Sequence, residues 1–180
     1  RLIFRMAGAR HDVMLPLPGR FQADNALLAA MLAIATGIAP ERAVAALGRL
    51  RGVRGRMERA AILPNDAAIY VDYAHTPDAV TRILATLRKS VSGRIIAVLG
   101  CGGDRDKAKR PIMGRELLEG SDLAIFTSDN PRSEAPEAIL TEMIGNLKLN
   151  ENSATLIDRR EAIAFAVASA LPGDCVVVLG

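Results

Sequence analysis

The sequence predicts an α/β protein whose larger part is a mostly parallel, doubly wound sheet. Three observations carry this. From Ala67 onward, short apolar runs alternate with segments of helical period. Those runs are nearly unbroken Val, Ile and Leu, as in strands covered on both faces. The 180 residues are also 50% hydrophobic and 24% charged, the balance of an ordinary globular chain rather than a disordered one.

In chain order, residues 2–6 and 12–16 read as short strands that stop at Pro and Gly. Residues 24–37 read as a helix, with Asp24 or Asn25 as its cap and Gly37 as a left-handed stop. This helix is apolar nearly all round and is expected to be buried. A second helix spans 40–50 with Pro40 in its first turn. The Arg- and Gly-rich stretch 48–59 reads as a connection. Beyond it, strands are expected at 67–72, 94–99, 122–127, 153–157 and 174–179. Helices are expected at 78–88, 111–118, 136–147 and 159–170. In the first of these, Val80, Ile83, Leu84 and Leu87 recur at helical spacing. Such alternation implies right-handed crossovers and a parallel sheet. The change of pattern near residue 60 divides the chain into domains at 1–60 and 61–180.

Composition narrows the function. Aromatic residues make up 3%, with no Trp, so no stacking platform for nucleic acid is expected. A net charge of +3 demands no polyanionic partner. Arg49, Arg51, Arg54, Arg56 and Arg59 cluster, which reads either as an anion patch or as a solvated connection with one or two working arginines. No apolar run approaches the roughly 18 residues of a membrane span, and the start has no signal-peptide pattern. Two cysteines cannot build a disulfide scaffold, which points to a reducing compartment. The chain starts without Met and stops on a strand, so it is expected to be a piece of a longer protein.

In a doubly wound sheet, ligands bind beyond the carboxyl ends of the strands, where strand order reverses. Three polar clusters fall there. Gly100-Cys-Gly-Gly103 lacks the spacing of a dinucleotide fingerprint, and reads as an anion-binding loop or a plain glycine turn. Arg105 on that loop favours the anion. Asp129-Asn-Pro-Arg132 sets an acid for an ammonium group, a two-way amide and a guanidinium for a carboxylate on one turn. With Arg105 it suits a zwitterion carrying an extra carboxylate; alternatively it is an Asx-Pro turn that starts a helix. Asp72-Tyr-Ala-His-Thr76 puts a carboxylate and an imidazole at a strand tip, for a ribose hydroxyl and a phosphate or base, or as structural groups. No zinc-ligand spacing is present, and Cys101 has no visible base.

Gly55-Arg-Met-Glu58, Val71-Asp-Tyr-Ala-His-Thr-Pro-Asp78, Gly100-Cys-Gly-Gly-Asp-Arg-Asp-Lys-Ala-Lys-Arg-Pro111 and Asp129-Asn-Pro-Arg132 occur in this order and spacing. Together they resemble the Mur ligases, in the branch that adds 2,6-diaminopimelate, over almost the whole chain. The resemblance implies that residues 1–60 end a central ATP-binding domain and residues 61–180 form most of a C-terminal Rossmann-like domain. It implies an ATP-dependent, amide-forming ligase of peptidoglycan synthesis, a cytoplasmic monomer without nucleic-acid or membrane partners. The substrates it implies are ATP, meso-diaminopimelate and UDP-MurNAc-L-Ala-D-Glu, joined through an acyl phosphate with Mg2+. It also implies that the magnesium ligands lie mostly outside this chain, and that the piece alone is inactive. By the same resemblance Asn25, Arg56, Asp72, His75 and Thr76 contact the nucleotide; the family usually has a second asparagine where Gln22 stands. Arg105, Asp129, Asn130, Pro131, Arg132 and Gly180 form the diaminopimelate pocket. No catalytic residue or metal ligand is assigned within the chain. A dinucleotide-dependent dehydrogenase is the first alternative, but the three-glycine fingerprint and its ribose acid are missing from their places. A non-catalytic amino-acid-binding module is the second, and it leaves Asn25, Arg56 and Asp72 unexplained.

Overall fold

A computed structural model of the chain describes residues 1–6 and 8–180. They form two compact units, Arg1–Val53 and Arg54–Gly180. In the first, β1 (Leu2–Met6) and β2 (Ala9–Val13) pair as an antiparallel hairpin. The second strand therefore lies ahead of the expected 12–16, because the chain turns back at once around Gly8, whose φ is +79°.

Helix α1 spans Arg20–Ala35 and α2 spans Pro40–Leu47. α1 corrects two expectations. It begins at Arg20 behind Gly19, with no side-chain cap, so Asp24 and Asn25 sit inside the helix and not at its start. It is also buried on one face only. Ala26 and Ala30 pack with Ala43 and Leu47 of α2, while Leu28, Met31 and Leu32 are exposed in this chain. Gly37 does carry the expected left-handed conformation, at φ +100°.

The second unit holds a six-stranded sheet ordered β3-β4-β8-β5-β6-β7. Its strands are β3 (Glu58–Ile62), β4 (Ala68–Asp72), β5 (Ile95–Cys101), β6 (Leu123–Ser128), β7 (Ser153–Leu156) and β8 (Cys175–Leu179). All neighbours are parallel except β3, which pairs antiparallel with β4 at the edge. β3 is the one strand the sequence did not announce: Glu58-Arg-Ala-Ala-Ile62 is short, carries two charges and is mostly exposed, so it has neither the apolar run nor the alternation of a covered strand.

The connecting helices are α3 (Pro77–Arg88), α4 (Lys109–Gly120), α5 (Pro136–Ile144) and α6 (Arg159–Ala168). α3 uses its expected apolar stripe, with Val80, Ile83, Leu84 and Leu87 all buried. Ala162 and Ala166 of α6 pack on Ile96, Val98, Ile125, Val176 and Val178. The alternate residues Ile95, Ala97 and Leu99 are equally buried on the other face. From β5 the order runs outward through β6 to β7, then returns to β8. Strand order thus reverses between β8 and β5, and the ligand site is expected beyond the ends of these strands.

The opposite end of these strands is closed by a buried carboxylate. Asp174 accepts from the Arg94 and Leu171 backbone N–H groups at 2.7 and 2.9 Å, and from the Arg94 guanidinium at 2.7 Å. Burial pushes this carboxyl up, but the Arg94 guanidinium and the two N–H donors outweigh it and hold it below the usual range. A depressed carboxyl stabilises the fold above its unfolded value and loses that contribution as pH falls through its folded value. Asp174→Asn is therefore expected to lower the melting temperature at pH 7 by about 3 °C or more. It should also flatten the fall in stability below about pH 4. Thermal melts from pH 2 to 7 check both, and an unchanged acid limb would count against the assignment.

Candidate active site

Beyond the carboxyl ends of β4, β5, β6 and β8 lies a cavity of about 610 Å³. Each strand contributes to its wall through the residues that follow it. These are Tyr73 and His75 after β4, Gly102 and Arg105 after β5, Asp129, Asn130 and Arg132 after β6, and Gly180 after β8.

The turns after β5 and β6 are cross-braced. Gly103 N–H donates to the Asn130 carbonyl at 2.9 Å, and the Arg132 guanidinium donates to the Gly103 carbonyl at 2.6 Å. Asp104, left-handed at φ +52°, accepts from the Ser133 hydroxyl and backbone N–H. The glycines make this approach possible. A Cβ on Gly103 would lie 1.9 Å from the Pro131 carbonyl oxygen, and one on Gly100 would lie 2.7 Å from that of Thr127. Gly103 is thus explained by two turns packing on each other, and Gly100 by the close approach of the ends of β5 and β6.

Arg132 is itself left-handed at φ +50°, and Pro131 sets the turn that carries it. Arg105 is exposed on the cavity wall and makes no hydrogen bond or ion pair with another described residue. Gly180 closes the floor at φ +105°, its N–H donating to the Asp72 carbonyl at 3.2 Å; a Cβ there would stand 3.3 Å from the Gly100 carbonyl oxygen. The arrangement offers two guanidiniums, a carboxylate, an amide and backbone groups to one small polar ligand.

The expected nucleotide residues are distributed differently. In the Gly55–Glu58 turn, Gly55 N–H donates to the Glu58 carboxylate at 2.8 Å and Met57 N–H donates to Asp72 at 2.7 Å. This turn carries the Arg56 guanidinium 5.7 Å from the centre of the Tyr73 ring. Asp72 is 4% exposed. Burial pushes its carboxyl up, against the pull of the Met57 and Ala74 N–H groups and the Arg56 charge. His75 pairs through Nδ1 with the Tyr73 carbonyl at 2.7 Å; a carbonyl only accepts, so Nδ1 carries the proton. Thr76 caps α3, its hydroxyl accepting from Ala79 N–H. Asn25 lies on α1 in the first unit. Of these residues only His75 lines the cavity.

Cys101 also lines the cavity, next to Met113 with 3.9 Å between sulfurs. Burial pushes its thiol up to about 11, so it is protonated at neutral pH and is no nucleophile. Among the described residues no group of three or more His, Cys, Asp or Glu is placed to hold a metal ion.

Two arginines escaped the sequence reading. Arg159 opens α6 and donates to the carbonyls of Leu179 at 3.0 Å and Ser128 at 3.5 Å, tying the ends of β8 and β6. Burial lowers its pKa, and nearby Asp129 opposes that. A cation in the first turn of a helix opposes the helix dipole, a local signal that something else holds it. Arg110, where the charged run enters the first turn of α4, is 1% exposed and bonded to Glu134, Glu142 and the Gly102 carbonyl.

Residues 55–180 match the family profile described as Mur ligase, glutamate ligase domain. The chain is 49% identical over 173 residues to the UDP-N-acetylmuramoyl-L-alanyl-D-glutamate--2,6-diaminopimelate ligase of Chelativorans sp. (strain BNC1), covering 96% of this chain and 35% of that protein. It is 48% identical over 165 residues to the protein of the same name from Gloeobacter violaceus, covering 92% and 34%. A solved structure of a UDP-N-acetylmuramoyl-L-alanyl-D-glutamate--2,6-diaminopimelate ligase superposes with a TM-score of 0.69 at 40% identity, over 97% of this chain and 36% of that one. The chain thus spans about a third of the length of the curated relatives it matches.

Proposed function

The chain belongs to the Mur ligase family, and from that premise we propose that its whole protein joins meso-2,6-diaminopimelate to UDP-MurNAc-L-Ala-D-Glu at the expense of ATP. In this reading residues 1–60 belong to a central ATP-binding domain and residues 61–180 to the C-terminal domain, and the protein works in the cytoplasm as a monomer. A carboxylate is a poor electrophile, and ATP supplies the phosphoryl group that turns the D-Glu side chain into an acyl phosphate. This chain's residues then hold and orient the attacking amine.

The observation that carries the reading is the single cavity shared by Arg105, Asp129, Asn130, Arg132 and Gly180. The ligand is a diamino diacid, with an amine to attack and a second amino-acid head to grip. Asp129 pairs with the ammonium of that distal head, Asn130 accepts from it or donates to its carboxylate, and the two guanidiniums hold that carboxylate. Pro131 stiffens the turn, and the left-handed Gly180 leaves room beside Asp129. Lysine lacks the distal carboxylate and leaves both guanidiniums without its counter-charge, which favours the diacid.

For the nucleotide, the proposal assigns Asn25 to the adenine, Asp72 to the ribose, and Arg56, His75 and Thr76 to its flank. Asp72 and Arg56 are chemically suited, since a carboxylate accepts from ribose hydroxyls and a guanidinium pairs with phosphate. Magnesium is part of the proposed reaction, but no step through it is carried by the described residues.

The test is ADP release by the full-length protein with UDP-MurNAc-L-Ala-D-Glu and either meso-diaminopimelate or L-lysine. Release that needs the dipeptide and the diamino diacid, at least 100-fold above lysine in kcat/KM, is expected. Equal use of lysine would overturn the specificity, and no release with either amine would overturn the activity. Asp72→Ala should raise the Kd for ATP about tenfold by calorimetry. Because Met57 N–H loses its buried acceptor, about 1–3 kcal/mol of stability should go with it. A folded variant with unchanged ATP affinity would remove Asp72 from the nucleotide site.

A further inference from the structure

A buried and heavily bonded charged group sits in the wall of the cavity. Arg110, in the first turn of α4, donates to Glu134 through two nitrogens at 2.8 and 2.7 Å, to Glu142 of α5 at 2.6 Å and to the Gly102 carbonyl at 3.2 Å. Glu134 also accepts from Asp104 N–H at 2.6 Å and pairs with Lys107 at 3.1 Å. The Arg110 charge, with these donors, holds the Glu134 carboxyl far below the usual range. One buried guanidinium therefore joins the turn after β5, the turn after β6 and α5.

Stability alone is a poor reason to keep such a group, because apolar replacements of buried ion pairs are often neutral or stabilising. A planar fork with several fixed donors does something apolar packing does not: it fixes distance and angle between the segments it joins. Arg105 stands on one of the joined turns and Arg132 on the other. We infer that Arg110 is a positioning residue for the amino-acid pocket, setting the separation of Arg105 and Arg132 and so how well both can grip one distal carboxylate. This rests on the proposed function for its ligand, but not for its geometry.

The experiment uses the full-length protein and Arg110→Lys, which keeps the charge and loses the fork. Amide hydrogen exchange is expected to quicken at least tenfold within residues 102–106 and 129–134, with the rest of the second unit unchanged. The KM for meso-diaminopimelate should rise at least tenfold, with kcat and the KM for ATP within twofold, and preference over lysine should fall in proportion. A general loss of structure would instead quicken exchange throughout and lower the active fraction without splitting the two KM values. If Arg110→Lys does not fold, Glu142→Gln takes the charge from one arm at a partly exposed position and should move the same two readouts, less strongly. Unchanged exchange in the two turns of a folded variant overturns the positioning role. Quickened turns in a protein that adds no diaminopimelate would leave that role standing and sink the proposed function instead.

Discussion

Gly103→Ala is expected to cripple amino-acid binding while leaving nucleotide binding nearly intact. The new methyl would lie 1.9 Å from the Pro131 carbonyl oxygen and 2.6 Å from its carbonyl carbon, and both are backbone atoms. No rotamer change relieves such a contact, so one turn must move. Any movement lengthens the Gly103 N–H bond to Asn130 and the Arg132 bond to the Gly103 carbonyl, since both cross the same gap. Losing two such bonds amounts to about 2 kcal/mol, or roughly 30-fold in KM for the diamino diacid. Overpacking adds a stability loss of about 1–3 kcal/mol. Gly102→Ala provides the contrast. Its methyl would meet the tip of the Arg132 side chain at 2.8 Å, which a flexible group can vacate, so a smaller rise is expected. Titration of both substrates on each variant checks the order, and a Gly103→Ala protein with unaltered KM would show that the approach of the turns does not shape the pocket.

The same turns mark what the sequence discloses. Parallel strands were legible because Ile95-Ile-Ala-Val-Leu99 and Cys175-Val-Val-Val-Leu179 must be buried on both faces, and no helix explains their shortness and flanking glycines. The position of the cavity followed from topology. Burial of α1 did not follow from its composition, since which face is covered depends on partners that a helix sequence does not name. β3 was illegible because its order comes from a tertiary neighbour: Glu58 and Asp72 pin the preceding turn, and β4 supplies the ladder. Arg110 and Glu134 stand 24 residues apart in the chain. Each reads as ordinary surface charge until α4 and the turn after β6 bring them together, so no local pattern could flag the pair. Asp72 shows the reverse limit, as its position at the strand tip was legible but its bond to Met57 was not.

Arg105 and Arg132 should separate cleanly when each is replaced by alanine. Both are proposed to grip one carboxylate, so each loss should remove a charge-assisted hydrogen bond of about 1.5–3 kcal/mol, a fall of roughly 10- to 150-fold in kcat/KM for meso-diaminopimelate. Stability should tell them apart. Arg105 bonds to no other described residue, so Arg105→Ala should melt within about a degree of the parent. Arg132 donates to the Gly103 carbonyl at 2.6 Å, so Arg132→Ala should melt lower by about 2–4 °C as well. Arg132→Lys keeps a point charge but not the fork, and should recover part of the affinity without restoring selectivity. With lysine as the amine neither variant should change kcat/KM by more than about threefold, since the carboxylate they hold is missing from it. The double variant should lose less than the sum of the singles, because two guanidiniums on one carboxylate are coupled. Losses of equal size for lysine and for the diamino diacid would mean that the arginines shape the pocket without reading the far carboxylate. Specificity would then have to arise from Asp129, Asn130 and the floor at Gly180.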